Sequence, residues 1–158
     1  MGGRIRTTLL FLSAVCALLV FASSAAARLT RNEADLLSVV NTVRVSHGLA
    51  PLDIDWRLVR AARSHSLDML EHGYFGHGAF GDRMRRFGVR GRVVGENLAW
   101  GSGRLGTSVT IVREWLASPD HRANLLRPGF RRIGLAAPVA RFGGVAGAHV
   151  VTADFAGR

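Results

Sequence analysis

A proline that directly follows a helical pattern is the strongest local constraint in this chain. Val112 and Leu116 belong to a helical pattern of apolar residues that ends at Ser118-Pro119. Proline disfavours helical geometry in the residue before it, yet it suits the first position of a new helix. Serine is a common N-cap residue. The sequence therefore predicts one helix that ends at Ser118 and a second that starts at once, with His121 in its first turn.

His121 has two interpretations at this point. A histidine in the first turn of a helix has its charge and tautomer set by its neighbours, which suits a functional role. The same pattern is also typical of a corner between two helices that carries a histidine on the surface. The spacing alone favours neither interpretation.

The N-terminus has the pattern of a secretory signal peptide. Two arginines precede an apolar run over residues 9–22, and three alanines, the last of them Ala27, follow it. A basic start, a short apolar run and small residues at the end are the three parts of such a signal, and this run is too short to span a bilayer. We therefore expect residues 1–27 to be a signal peptide cleaved near Ala27. Residues 28–158 are then one secreted or periplasmic domain without a transmembrane segment.

Charge and cysteine content limit the chemistry of this domain. The formal net charge is +10, and all 21 basic side chains are arginine. The single cysteine, Cys16, lies inside the predicted signal and matches a lipoprotein signal poorly, so the mature domain has no thiol for a disulfide, for catalysis or for metal binding. In an exported protein, this charge favours an anionic envelope partner, such as phospholipid headgroups or a cell-wall polymer, over nucleic acid. A solvated basic surface is the alternative.

Two helices are predicted in the first half of the domain. The first ends at Gly48, and the second begins after Asp55 and ends at Gly73. Asn41 falls on the apolar face of the first helix, where a hydrogen bond to the backbone is a better interpretation than a ligand. His65 falls on the apolar face of the second helix, where a hydrogen-bonded core histidine is the better interpretation.

Two further segments carry candidate functional residues. His77 lies between two glycines, which let the backbone approach a neighbour closely. Glu96 lies near Val94 and Leu98, and an acid with apolar neighbours either binds a backbone amide or shares a site with histidines.

A run of basic residues lies between these two segments. A short helix is predicted over residues 82–87, ended by Gly88. The run has no interleaved aromatic residues that would stack on bases, so a solvated face is the first interpretation and an anion-binding edge the second. Its members are Arg83, Arg85, Arg86, Arg90 and Arg92.

The C-terminal part of the chain predicts a pair of strands. Ile133 and Leu135 alternate with Arg132 and Gly134, a return is predicted at residues 143–144, and the last strand is predicted over 150–155. No internal repeat or low-complexity linker indicates a second domain.

Taken together, these segments resemble the CAP superfamily, also called SCP/TAPS, and within it the bacterial secreted SCP-like proteins. Each segment is weak by itself, whereas their order and spacing together are specific. The matching segments are residues 41–44 (NTVR), 48–52 (GLAPL), 65–69 (HSLDM), 75–77 (FGH), 95–98 (GENL), 115–126 (WLASPDHRANLL) and 130–134 (FRRIG).

The resemblance implies an α/β fold in which a small antiparallel sheet lies between helices, an α-β-α sandwich with a central cleft. In animal members of the superfamily, two histidines and two glutamates face that cleft and can hold a divalent metal. His77 matches the first histidine and Glu96 the first glutamate. Ser118 stands at the position of the second glutamate, and Glu114 lies on the same helix face, four residues earlier.

The second family histidine has two candidates in the last strand. Alignment on the closing aromatic residue selects His149, and alignment on Thr152 selects Val150. His121 belongs to the bacterial variant of the pattern, a serine-proline-x-histidine-arginine run. The ligand-binding cleft is therefore expected to contain His77, Glu96, Asn97, Ser118, His121 and His149.

Three functions are compatible with this cleft. The first is a monomeric binding module that holds an apolar or amphipathic ligand, such as a lipid, or an anionic envelope polymer, and does not bind nucleic acid. The second is a hydrolase that uses His77, Glu96 and His121, or His149 in place of His121, either with zinc on these residues or with Glu96 and a histidine as a general acid–base pair. The third is a hydrogen-bonded network with a purely structural role.

Overall fold

The computed structural model describes residues 28–157 of the chain, which form five α-helices, a short 3-10 helix and five β-strands. The predicted signal peptide, with Cys16, lies outside the described residues. Within this described range, no helix is long and apolar enough to cross a membrane. The helices and strands of the described residues fall in the unit Arg31–Arg158. The helices are α1 (Arg31–Ser46), α2 (Trp56–His72), α3 (Phe80–Arg86), α4 (Ser108–Ala117) and α5 (Pro119–Leu125). The strands are β1 (Asp53–Ile54), β2 (Val93–Ser102), β3 (Phe130–Ala136), β4 (Val139–Phe142) and β5 (Val145–Gly157).

Local capping chemistry sets the ends of α2 as the sequence predicts. The Asp55 carboxylate accepts a hydrogen bond from the backbone N–H of Arg57 at 2.9 Å, which satisfies one of the free N–H groups of the first turn. At the other end, Gly73 adopts a left-handed conformation with φ 67°. The predicted ends of α2 are confirmed.

The predicted corner between two helices is also confirmed. Helix α4 ends at Ala117, Ser118 is extended with φ −92° and ψ 124°, and Pro119 starts α5. The Ser118 side chain, however, makes no capping hydrogen bond, so the expected side-chain cap is wrong. The carbonyl of Ser118 instead accepts the N–H of Arg122 at 2.8 Å, and the fixed φ of proline shapes the turn.

The sheet runs in the order β1-β3-β5-β2, and β4 also pairs with β5. The pairs β2–β5, β3–β5 and β4–β5 are antiparallel, which confirms the sheet that the resemblance implies. The two-residue strand β1 is an addition to that expectation because it pairs with β3 in parallel. Gly143 and Gly144, with φ 55° and 81°, form the predicted return, but they join β4 to β5 rather than β3 to β5.

Helices cover both faces of the sheet. Alternate residues of β5 point to opposite faces, so one strand contributes to two apolar layers. The layer against α1 and α4 contains Val40, Ile111, Trp115, Val151 and Phe155. The layer against α2 contains Met69, Leu98, Ala148 and Val150.

Helix α2 lies in direct backbone contact with β3 at Gly134. A Cβ atom at Gly134 would lie 2.0 Å from the carbonyl carbon of Leu58 and 2.2 Å from the nitrogen of Val59. This close approach fixes the height of α2 above the sheet. Further along α2, the hydroxyl of Ser66 lies 2.8 Å from that of Thr152 on β5, and both side chains are buried.

A buried arginine ties α1 to the end of α5. Arg44 is fully buried, and burial, followed by the charge of Arg131, lowers its pKa. Its guanidinium donates to the carbonyls of Leu125 at 2.8 Å and Phe130 at 3.3 Å, and to two further carbonyls. The carbonyls at the end of a helix attract a cation, so Arg44 holds α5 in place next to β2.

We predict that Gly134→Ala destabilises the protein by at least about 2 kcal/mol, because the methyl group forces the backbones of α2 and β3 apart. Gly129→Ala is the matched control, since a Cβ atom at Gly129 meets nothing within 4 Å. Urea unfolding of the wild type and both variants measures the effect. Equal stability of the two variants would contradict the close packing of α2 on β3.

Candidate functional site

Strand β2 lies at an edge of the sheet, and side chains from α4 and α5 cover that edge. The indole N–H of Trp115 donates to the carbonyl of Leu98 at 2.9 Å, and the amide of Asn124 donates to the carbonyl of Glu96 at 3.1 Å. These bonds satisfy carbonyl groups that an edge strand otherwise exposes. They also hold the α4–α5 corner directly beside Glu96.

Asn97 fixes the position of the first turn of α5. Its side chain is fully buried, and its amide donates to the carbonyl of His121 at 2.9 Å. The Asn97 side-chain oxygen accepts from Asn124 at 3.1 Å. Gly95 is required here, because a Cβ atom would lie 2.7 Å from the side-chain oxygen of Asn124. The structure therefore places Asn97 as a support for His121.

Both oxygens of the Glu96 carboxylate have a partner. The Glu96 side chain is 2% exposed, and Oε1 lies 2.7 Å from Nδ1 of His77. Oε2 accepts from the guanidinium of Arg83, which is itself buried. A buried carboxylate is stable only when it is paired and hydrogen-bonded, and these two partners supply that compensation.

His77 presents one ring nitrogen to solvent. Its side chain is 58% exposed, whereas Nδ1 is held by Glu96. When the ring is neutral, this contact places the proton on Nδ1 and leaves Nε2 as an acceptor. Two hydrogen bonds to backbone carbonyls hold the loop that carries His77. Arg83 donates to the carbonyl of His77 at 3.2 Å, and Nε2 of His65 lies 2.9 Å from the carbonyl of Gly76.

His65 is a hydrogen-bonded core histidine, as the sequence predicts. It is 2% exposed, and its Nε2 also lies 3.9 Å from Oε2 of Glu96. Burial lowers the pKa of His65, and the positive charge of Arg83 lowers it further. The neutral ring then donates from Nε2 to Gly76. His65 thus belongs to the surroundings of Glu96, although the sequence analysis leaves it out of the site.

Asp154 is a member of this cluster that the sequence analysis missed. It lies on β5 directly opposite Glu96, and it is fully buried. No donor among residues 28–157 binds either of its side-chain oxygens, and Nε of Arg83 has no acceptor there. In its protonated form, the Asp154 carboxyl group can hydrogen-bond to that of Glu96. Burial raises the pKa of Asp154 well above its ordinary value, and the negative charge of Glu96 adds to this effect. An acid within an otherwise apolar predicted strand is the signal that could have identified it.

His121 lies close to His77. It is partly buried on the first turn of α5, and burial lowers its pKa, followed by the charge of His77. The structure therefore brings together His77, Glu96 and His121. Arg83, His65 and Asp154 complete the group.

His149 does not lie with this group. It faces the opposite side of the sheet, where it lines a cavity of about 220 Å³ together with Leu36 and Ile111. The alternation of β5 puts Val150, rather than His149, on the face that carries Glu96. Neither candidate for the second family histidine thus brings an imidazole to Glu96.

The described residues do not fit a divalent cation at Glu96. The Arg83 guanidinium is bound to one carboxylate oxygen, so a second cation there would be repelled. Ser118 supplies no negative charge at the position of the second family glutamate. Within residues 28–157, no group of three His, Cys, Asp or Glu side chains is arranged to hold a metal ion.

An apolar groove adjoins His121 at the far end of β2. Its volume is about 240 Å³. Phe142 links two of the aromatic residues there, with ring centroids 5.4 Å from Trp100 and 6.4 Å from Phe75. The groove is lined by Phe75, Leu98, Ala99, Trp100, Leu105, Ile111, Glu114, Trp115 and His121.

Comparison with known proteins identifies the family. The model of the CAP family, the cysteine-rich secretory protein family, matches residues 37–155. This match covers most of the chain, so the chain belongs to the CAP family. It confirms the resemblance found in the sequence.

Individual relatives are bacterial proteins. The protein YkwD of Bacillus subtilis (strain 168) is 36% identical over 118 residues, which are 72% of this chain and 45% of that protein. An extracellular protein containing an SCP domain from Bacillus anthracis has a TM-score of 0.66 at 29% identity, over 83% of this chain and 45% of the other. An outer surface protein from Borrelia burgdorferi shares the fold, with a TM-score of 0.66 at 23% identity, over 78% of this chain and 90% of the other. The chain spans less than half the length of the curated relative YkwD, and the two structural relatives are extracellular or surface proteins.

We predict that Asp154→Asn removes a loss of stability that occurs as the pH rises. The folded pKa of Asp154 is raised, so between its ordinary value of 3.8 and the folded value only the unfolded chain releases the proton. The wild type therefore loses stability as the pH rises through this range. Relative to the wild type, the free energy of unfolding of the variant should increase as the pH rises from about 4 towards the folded pKa, by about 1.4 kcal/mol for each pH unit.

Urea unfolding at several pH values measures this difference. Asp82→Asn is the control, because Asp82 is an exposed carboxylate on α3. A difference between Asp154→Asn and the wild type that stays constant with pH would show that Asp154 is ionised in the folded protein.

Proposed function

We propose that this CAP domain binds the apolar part of an amphipathic ligand, such as a lipid, in the groove beside His121. The observation that carries this proposal is the set of exposed apolar side chains around the groove. Phe75 is 46% exposed, Trp100 41% and Leu105 67%. A cluster of exposed large apolar residues is typical of a binding site. Complete small-molecule sites have volumes of about 300–1,000 Å³, so the smaller groove suits one apolar segment of a larger ligand.

The polar part of the ligand is expected to meet the two histidines. His121 lines the groove, and the lowered pKa keeps its ring neutral at physiological pH, so the ring can donate and accept a hydrogen bond. His77 lies next to it with Nε2 exposed. Glu96 and Asp154 are buried and do not face the ligand. This arrangement supports a ligand with an apolar chain and a polar head.

Export of the domain is part of the proposal. The basic start, the apolar run over residues 9–22 and the alanines before Arg28 support secretion to the cell envelope or beyond it. The extracellular and surface proteins among the structural relatives agree with this location. A lipid or an envelope polymer would then be present in the same compartment as the protein.

We predict that Leu105→Asp weakens ligand binding by at least about tenfold. The bound ligand would bury the exposed Leu105 side chain, and burial of a leucine contributes about 1.5–3 kcal/mol, whereas a charge in an apolar groove is unfavourable. Leu67→Asp is the matched control, since Leu67 is 56% exposed on α2 and lies outside the groove. Fluorescence titration with anthroyloxy-labelled stearic acid measures the affinity of each protein. Equal affinities of the two variants would show that the probe does not bind in this groove.

The contact between His77 and Glu96 favours a second candidate function, hydrolysis with His77 as general base. The 2.7 Å contact orients the ring and stabilises the imidazolium that forms when Nε2 takes a proton from water. Because the activated water attacks directly, this mechanism needs neither a thiol nor a metal.

We predict that His77→Gln lowers kcat/KM for p-nitrophenyl butyrate by about a hundredfold or more with little change in melting temperature, because the His77 ring is largely exposed and the glutamine amide can donate to Glu96 in its place. The activity should survive dialysis against EDTA. Calorimetric titration with zinc should show at most weak binding, because Arg83 is bound to Glu96. Absence of hydrolysis by the wild type would rule out this second function. Tight stoichiometric zinc binding that His77→Gln abolishes would replace it with a metal site.

A further inference from the structure

Five arginines gather at the end of the sheet where β2 and β3 begin and β5 ends. Three of them line one open depression, of about 480 Å³, together with Trp56. Arg132 also donates to the carbonyl of Arg90, which brings the segment before β2 to the same place. The first residues of β2 and β3 both pair with Gly157, so Arg92, which precedes β2, lies at the same end of the sheet as Arg132. We call this surface the arginine face; its members are Arg57, Arg60, Arg90, Arg92 and Arg132.

The arginine face is only partly neutralised by acids. Asp55 pairs with Arg132, and Asp53 lies opposite Arg132 in the β1–β3 register. The other four arginines of the face are exposed, and none of them forms an ion pair within residues 28–157. The face therefore keeps a concentrated positive charge.

Two of these arginines stand at the wrong end of a helix for stability. Arg57 lies in the first turn of α2 and Arg60 directly after it; that turn contains no acid, and the carboxylate of the N-cap Asp55 also pairs with Arg132. The N-terminus of a helix carries a partial positive charge, which disfavours cations there. These two positive charges therefore gain no stability from the helix dipole and remain available to an external anion.

Trp56 distinguishes the kind of anion. This residue starts α2, is 37% exposed, and lines the same depression as Arg57 and Arg60. A soluble polyanion needs positive charge alone, whereas the surface of a bilayer offers phosphate groups beside an interfacial zone in which tryptophan is favoured. We propose that the arginine face and Trp56 dock the protein on the surface of an anionic phospholipid bilayer.

This docking surface is separate from the groove of the proposed function. The arginine face adjoins the start of β2 at Val93, and the groove adjoins its other end at Trp100. Changes in one surface therefore leave the other intact. The two proposals can fail independently.

Charge reversal at the start of α2 tests the docking surface. We compare the full-length wild type with the double variant Arg57→Glu/Arg60→Glu in sedimentation with phosphatidylglycerol–phosphatidylcholine vesicles and with pure phosphatidylcholine vesicles. We expect the wild type to bind the anionic vesicles only, and the double variant to bind them at least about 25-fold more weakly. Because glutamate is favoured at a helix N-terminus, the variant should melt at the same temperature as the wild type or higher.

The matched control is Arg104→Glu/Arg141→Glu, which changes the net charge equally at two exposed positions near the groove end. All variants carry the same N-terminus, so any contribution of residues 1–27 is common to them. The control should bind almost as well as the wild type. Equal loss in both double variants would show that net charge alone drives binding, and greater loss in the control would place docking at the groove end. Either result overturns the proposal.

Trp56→Ala separates a bilayer from a soluble polyanion. We expect this variant to bind anionic vesicles about tenfold more weakly, and to bind polyphosphate, a soluble probe, as the wild type does. Polyphosphate should compete poorly with the vesicles. If polyphosphate competes fully with the vesicles and Trp56→Ala binds the vesicles as tightly as the wild type does, a bilayer is not the partner.

Discussion

The burial of the Glu96 carboxylate on an edge strand is the constraint on which the site depends. A side chain that is 2% exposed cannot carry a negative charge without close partners. Arg83 and His77 supply them, and both come from the segment between α2 and β2. That segment therefore supplies both partners of the Glu96 carboxylate. Asp154 adds a second carboxyl group beside it, and burial, followed by the negative charge of Glu96, raises the pKa of Asp154 and so favours its neutral form.

Hydrogen bonds from side chains to backbone carbonyls hold the elements around this charge. Arg44 binds the end of α5, Asn41 binds the backbone of Leu52 as predicted, and Trp115 and Asn124 bind the edge of β2. Although the family is named for its cysteines, this chain has a single cysteine, which precedes the described residues. In the described domain, these hydrogen bonds connect helices and strands that are distant in the sequence. Many of them come from the segments that carry the family resemblance, which gives those segments a structural reason.

Local chemistry made part of this structure predictable. The ends of α2 and the α4–α5 corner follow from Asp55, Gly73 and Pro119, each of which acts on its immediate neighbours. The antiparallel sheet came from the resemblance rather than from the residues. The meeting of Asp154 with Glu96 and the separation of His149 from them could not be predicted, because both depend on the register of β5 against β2. Alternation puts Asp154 and His149 on opposite faces of β5, so a shift of one residue would bring the face of His149, rather than that of Asp154, beside Glu96.

The same register decides what a ligand can meet. Strand β5 turns Asp154 inward beside Glu96, and Arg83 and His65 close over that pair, so the carboxyl groups are shielded from the cleft. The ring atoms that remain accessible belong to His77 and His121, next to the exposed apolar side chains of the groove. The carboxylate of Glu96 is already paired, and Glu114 supplies one exposed carboxylate to the groove. An apolar chain with a hydrogen-bonding head would find a partner there for each of its parts. For this reason we propose an amphipathic ligand, and the buried carboxyl pair acts on it only through the orientation of His77.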